Sequence, residues 1–201
     1  MKKITVKWLT DRNACVSEDE KLIAEKEFKG DIIKILDALI YKNRFLDANW
    51  LFTEYANKKQ CVLYAIFAAE LVLHIFENKY PKDKRPKEAI QAAKDYVKNP
   101  CKKTKDAADA AADAAYAAYD AADAANAASA ASYAAYASAN AAYASSASYA
   151  SASAAYASSA AYAASAAHAS ASAAYAAKKE LQNKIIKNAI SILTRRTKYE
   201  Y

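Results

Sequence analysis

A tract of 71 residues, 107–177, contains no Gly, no Pro, no Lys and no Arg. It holds 42 Ala, 13 Ser, nine Tyr, four Asp, two Asn and one His. Low complexity usually marks disorder. Alanine, however, is the strongest helix former, and nothing in the tract breaks a helix. Alanine is also depleted in strands. The tract is therefore expected to be ordered and helical, with backbones brought close together because most side chains end at one methyl group.

The tract also repeats. Tyr136, Tyr149, Tyr162 and Tyr175 are 13 residues apart, and Tyr143 and Tyr156 form a second set at the same spacing. Ser146, Ser153, Ser159, Ser165 and Ser172 lie between them. A stripe of pure Ala runs alongside, at 144, 147, 150, 154, 157, 160, 163, 166, 169, 173 and 176. Thirteen residues fall roughly 140° short of four full α-helical turns, so this stripe would wind around a straight helix. Close-packed shorter helices that reset the register resolve the mismatch. A narrow solenoid with 13 residues per coil across 107–177 is the alternative. In either arrangement the tyrosines have two readings. They fill space between Ala-packed helices, or they offer a Tyr/Ser face to a partner, as adaptable paratopes do. Asp109, Asp113, Asp120 and Asp123 suit a helix N-terminus, or an acidic decoy surface.

Residues 1–100 read as an ordinary α-helical domain. Ser17 and Glu20 fit a capping box that starts a helix over about 18–28. Gly30, the only glycine, punctuates before an apolar helix over 32–40. Phe45, Leu46, Trp50, Leu51 and Tyr55 suggest another helix with Trp50 as a core anchor. Residues 62–76 are apolar all round and should form the central buried helix; at about 15 residues, with Glu70 and His74 inside, they are short of a membrane span. Pro86 suits the first turn of a further helix that stops before Pro100. The expected architecture is all-α: a helical domain over 1–100, the repeat over 101–177, and a basic amphipathic helix over 178–201.

One glycine rules out any Gly-rich phosphate loop, and so few turn residues exclude an all-β barrel or sandwich. Cys15, Cys61 and Cys101 are odd in number and lack CxxC spacing, which suits reduced thiols in the cytoplasm and no zinc site. No signal-peptide run opens the chain. The net charge is +7. The basic C-terminal segment could meet nucleic acid or an acidic partner, but no nucleic-acid module is recognisable, and a solvated amphipathic helix accounts for it. Glu70 and His74, four apart on one face, are the only candidate acid/base pair or half metal site. The alternative is a buried carboxylate held by a nearby Arg, with His74 as its neighbour. No third group stands at readable spacing, so neither a catalytic residue nor a cofactor is expected.

Residues 68–93 read AAELVLHIFENKYPKDKRPKEAIQAA. Ala69-Glu70, Val72-Leu73, Phe76-Glu77, Pro81-x-Asp83-x-Arg85-Pro86, Ala89-Ile90 and Ala92-Ala93 together resemble the signature of the Imm-5-like immunity proteins of bacteria and their prophages. An Ala-rich region follows in that family too, although the tract here is more regular and has lost most basic residues. The resemblance implies an all-α fold and a role in toxin neutralisation or anti-defence, with Glu70, His74, Asp83, Arg85 and Pro86 as its signature positions. Asp83 and Arg85 flank a helix start, so a cap or an ion pair with Glu70 is the expected job. The function expected is a non-catalytic cytoplasmic binding protein that occupies the surface of a protein partner, a toxin or defence enzyme, through Tyr136, Tyr143, Tyr149, Tyr156, Tyr162 and Tyr175. No membrane partner is expected. The alternative is a structural protein that forms homo-oligomers through the Ala-rich repeat; an enzyme using Glu70 and His74 is a third reading.

Overall fold

Local sequence signals set most helix starts. Thr5 caps α1 (Val6–Thr10), its hydroxyl accepting the Trp8 N–H at 3.1 Å. Ser17 and Glu20 close the expected capping box on α2 (Glu18–Lys26). Asp31 caps α3 (Ile32–Tyr41), and Asn57 and Gln60 form a second capping box on α5 (Lys58–Lys79). Each such cap satisfies backbone N–H groups that have no partner within the helix and contributes about 1 kcal/mol. Between them lies α4 (Phe45–Tyr55). Pro86 sits in the first turn of α6 (Arg85–Lys98), then come α7 (Lys102–Ala124) and α8 (Ala171–Thr194).

This computed structural model describes residues 2–124, 140, 149, 152–154, 156, 157, 159, 160 and 171–194. Among the described residues every regular element is an α-helix, so the fold is all-α. The described positions between 140 and 160 are helical as well. Three of the 13-spaced tyrosines, Tyr136, Tyr143 and Tyr162, lie outside the described residues.

The central helix is α5, as its all-round apolarity implies. It packs against α6 and α8, and α8 also reaches α3 and α4. Its length and composition would suffice to cross a membrane, yet 56% of its most apolar window is buried inside the protein. Tyr64, Phe76, Val62 and Val72 on α5 are fully buried, as is Phe52 on α4. Phe52 and Tyr64 pack with ring centroids 4.5 Å apart. Trp50, expected as a core anchor, is only half-buried: it packs edge-on to Trp8 at 6.4 Å, and the anchors are Phe52 and Tyr64. The Tyr64 hydroxyl donates to Asn49 Oδ1 at 3.0 Å. Two buried polar groups thus satisfy each other, which removes the penalty of burying either alone.

Both ends of the described chain, at Ile4 and in α8, enter the same core. Ile4, just before α1, is fully buried, and its N–H donates to Gly30 O at 2.9 Å. Gly30 has φ +66, and a Cβ there would lie 2.6 Å from Ile4 O, so the only glycine stands where no other residue fits. At the far end, Ile185, Ile186, Ala189 and Leu193 of α8 join this core. The basic helix is therefore not a solvated appendage. It begins at Ala171 and returns to close the bundle, with its lysines outward.

The alanines pack as methyl interfaces. Ala89 of α6 meets Ala112 and Ala115 of α7, each fully buried. Ala154, Ala157 and Ala160 are likewise fully buried, in the core that contains Ala65, Ala68 and Ala69 of α5. Ser153 lies at 0% exposure, and its hydroxyl donates to Ala65 O at 3.2 Å. Positions 153, 157 and 160 are i, i+4 and i+7, an ordinary helical face. The expected stripe fails farther on. Ala173 and Ala176 are exposed, and Ala174 is buried instead. In α8 the buried face follows 174, 185, 189 and 193, close to 3.6 residues per turn, because its large aliphatic residues set the register.

Candidate functional site

The signature positions form a scaffold joint. Asp83 Oδ1 accepts the Arg85 N–H at 3.1 Å, and the Arg85 guanidinium grips the same carboxylate at 2.6 Å. That hydrogen-bonded guanidinium holds the Asp83 carboxyl below its ordinary range, and Asp83 in turn raises Arg85. The pair caps the α5–α6 turn just ahead of buried Pro86. Glu70 is not the partner of Arg85, nor is it buried beside His74. It is exposed and pairs with Lys94 of α6 at 2.5 Å, while Glu77 pairs with Lys87 at 3.7 Å. These two ion pairs lace α5 to α6. His74 is exposed. Among the described residues no group of three or more His, Cys, Asp or Glu has the arrangement of a metal site.

The tyrosines divide between packing and exposure. Tyr156 is half-buried against the main core and fills space beside Ala154 and Ala157. Tyr149 is 40% exposed and Tyr175 62% exposed, so these two present ring surface to solvent. The early aspartates do not mark a helix N-terminus: α7 starts at Lys102, and Asp109 pairs with Lys105 at 2.5 Å one turn along.

A cleft absent from the sequence reading lies in the N-terminal half. It has a volume of about 160 Å³ and opens between the α1–α2 and α3–α4 hairpins. Its walls are apolar: Leu9 of α1, Ile23 and Ala24 of α2, Ile35, Ala38 and Leu39 of α3, and Trp50 and Leu51 of α4, with Phe28 between. Charged groups stand around it: Glu20, Lys42, Arg44 and Asp47. Arg44 donates through Nε to Asp47 Oδ2 at 2.5 Å and through Nη1 to Glu20, tying α2 to α4. It occupies the N-cap of α4, where the helix dipole disfavours a cation. The two carboxylates offset that cost. The Asp47 hydrogen bond raises the Arg44 guanidinium. The Glu20 carboxyl is lowered first by the Ser17 N–H and then by Arg44.

The two most exposed large apolar side chains described lie on either side of the α3–α4 turn. Tyr41, next to Lys42, is 89% exposed, and Leu46, next to Asp47, is 68% exposed. Sequence reasoning placed Leu46 in a helix but did not find the site. The available signal was the polar run Lys42-Asn43-Arg44 set between apolar residues in the α3–α4 turn, YKNRFLD. Its meaning depends on α2, which sits across the cleft and is remote in sequence. No family model, no curated protein and no solved structure matches this chain, so the resemblance to the Imm-5-like family rests on residues 68–93 and, loosely, on the Ala-rich tract.

Proposed function

We propose that this chain is a non-catalytic cytoplasmic binding protein of the immunity or anti-defence type, which neutralises a partner protein by occupying its surface. The observation that carries this reading is the set of large side chains left in solvent by a scaffold that buries most of its large apolar residues. Tyr41, Leu46, Tyr149 and Tyr175 are 89, 68, 40 and 62% exposed. Aromatic anchors of this kind dominate protein-binding surfaces. The signature residues support the reading in a second way. Glu70 is committed to an ion pair that ties α5 to α6, and Asp83 and Arg85 to one that fixes the turn between them, which leaves recognition to the surface.

Assembly through the alanine repeat is the less favoured reading, since Ala154, Ala157 and Ala160 already meet α5 within the chain. Affinity capture with the full chain from its native host tests the proposal. A single toxin or defence enzyme recovered in near-equal amount supports it. Repeated recovery of no partner, or a turnover abolished by Glu70→Gln with His74→Ala, overturns it.

A further inference from the structure

We infer that the lysine-lined groove formed by residues 2–3, the α2–α3 turn and the first turn of α3 docks an acidic segment of the partner protein, a run of Asp and Glu side chains. This rests on the binding reading above and gives it a charged subsite that the tyrosine repeat does not supply.

The fold gathers four lysines that the sequence keeps apart. Lys2, Lys3, Lys29 and Lys34 line one groove of about 270 Å³. Two hydrogen bonds fix its first wall: the Tyr55 hydroxyl donates to Lys2 O at 2.9 Å, and the Ile4 N–H to Gly30 O at 2.9 Å. Gly30 allows the close approach, since a Cβ there would lie 3.1 Å from Lys3 Cβ. Lys29 has φ +53, in the left-handed region that the chain otherwise fills, among the described residues, with Asn13, Gly30 and Asn43. Gly and Asn suit that backbone, and a lysine gains nothing from it.

The charges gathered here are left open. All four lysines are exposed, and among the described residues none of them is in an ion pair. By contrast, Lys87, Lys94, Lys105 and Lys184 each pair with a carboxylate. The one carboxylate of the groove, Asp31, caps α3 by accepting the Ile33 N–H at 2.9 Å. Four cations held together by the backbone repel one another, and an anionic occupant relieves that repulsion. The net charge of +7 steers such an occupant toward the molecule.

Shape and surroundings select a peptide. Pockets that enclose small ligands run to roughly 300–1,000 Å³, so this smaller groove takes a few functional groups from a body that lies outside it. A nucleic acid needs a long basic track for its phosphates and, when single-stranded, aromatic rings on which bases stack. The basic field here is short: exposed Glu27 precedes it, and exposed Asp37 stands one turn beyond Lys34. Phe28, the only aromatic residue of the groove, packs against the main core. Carboxylate side chains on a peptide match this short cluster. Lys34 and Tyr41 are seven residues apart on one face of α3, so a partner seated in the groove reaches the exposed Tyr41 ring about 10 Å away.

Binding of two labelled probes to the full chain tests the inference: a twelve-residue Asp/Glu-rich peptide and a twelve-nucleotide single-stranded DNA. Fluorescence anisotropy at about 50 mM salt reads both with little screening. The groove variant carries Lys3→Gln, Lys29→Asn and Lys34→Gln; Asn keeps the left-handed backbone at 29. The control variant, Lys82→Gln with Lys98→Gln and Lys102→Gln, removes the same charge from exposed positions on α6, α7 and the turn before α6. The acidic peptide is expected to bind the groove variant roughly tenfold or more weakly than the parent, and the control variant almost as tightly as the parent. Equal losses in the two variants overturn the inference, because net charge alone then attracts the peptide. No binding of the peptide to the parent chain overturns it as well. So does DNA that binds more tightly than the peptide and is lost in the groove variant, because the groove then serves a nucleic acid. If the groove variant still captures the native partner in near-equal amount, the groove assignment fails while the proposed function stands.

Discussion

Two kinds of interior coexist in this molecule. Around α3, α4, α5 and α8 the core is built from Ile, Leu, Val, Phe and Tyr, with Phe52, Tyr64, Ile186 and Leu193 nearly or wholly out of water. Between α6 and α7, and where 152–160 meets the core, the contact surfaces are methyl groups. The first kind gains from area: a large apolar side chain contributes about 1.5–3 kcal/mol on burial. The second gains little per residue but loses no side-chain entropy, since Ala has no rotamers to freeze. It holds through close backbone approach and is set by shape. The two interiors should therefore fail in opposite directions: one when a side chain is shortened, the other when it is lengthened.

Truncation in the large-residue core should give the biggest effect. Phe52→Ala is expected to cost about 3–5 kcal/mol, read as a lower urea midpoint with an unchanged slope. The mirror experiment enlarges an alanine. Ala112→Leu should cost about 1–3 kcal/mol by forcing α6 and α7 apart, whereas the same side chain added at exposed Ala107 should change almost nothing. If Ala112→Leu is neutral in thermal melting, the methyl interface is loose and the contrast between the interiors is lost. Smaller again is Ser153→Ala, which removes the hydrogen bond to Ala65 O and should cost about 1 kcal/mol in chemical denaturation. A neutral result would mean that the alanine face holds 152–160 in place without polar help.

The smallest effect is one of pH and falls on the α2–α4 tie beside the cleft. Glu20 is held below its ordinary value of 4.5 by the Ser17 N–H and by Arg44. Its contribution is therefore fully present above pH 4.5 and is lost as pH falls through its lower folded value. Stability measured across that acid range should decline less steeply in Glu20→Gln than in the parent. Because Glu20 is partly exposed, solvent screens the difference and keeps it small.

Much of the helical layout was legible because its signals are local. Ser17-x-x-Glu20, Gly30 and Pro86 each act locally, and the structure places helix starts beside them. The central position of α5 followed from a helix with no polar face. What misled was pairing by proximity in sequence. Glu70 lies near Arg85 and His74 along the chain, but the α5–α6 turn brings Lys94 to it. The two-residue spacing from Asp83 to Arg85 suffices for a self-contained cap. Trp50 was overrated because size alone cannot tell a residue that fills a core from one that lines a cleft.

The sequence by itself determined that the regular elements described are helices and where most of them begin, and it pointed to alanine as a packing surface. Those properties depend on backbone propensity and on hydrogen bonds that span a few residues. Only the tertiary structure decided which alanines are covered, that Ser153 is a buried donor, and that the basic C-terminal helix closes the core that Ile4 opens. It alone made a cleft out of two hairpins whose lining residues, from Leu9 to Leu51, mean little until α2 and α4 face one another. Burial is a property of what lies opposite a residue, and what lies opposite is set by contacts distant along the chain.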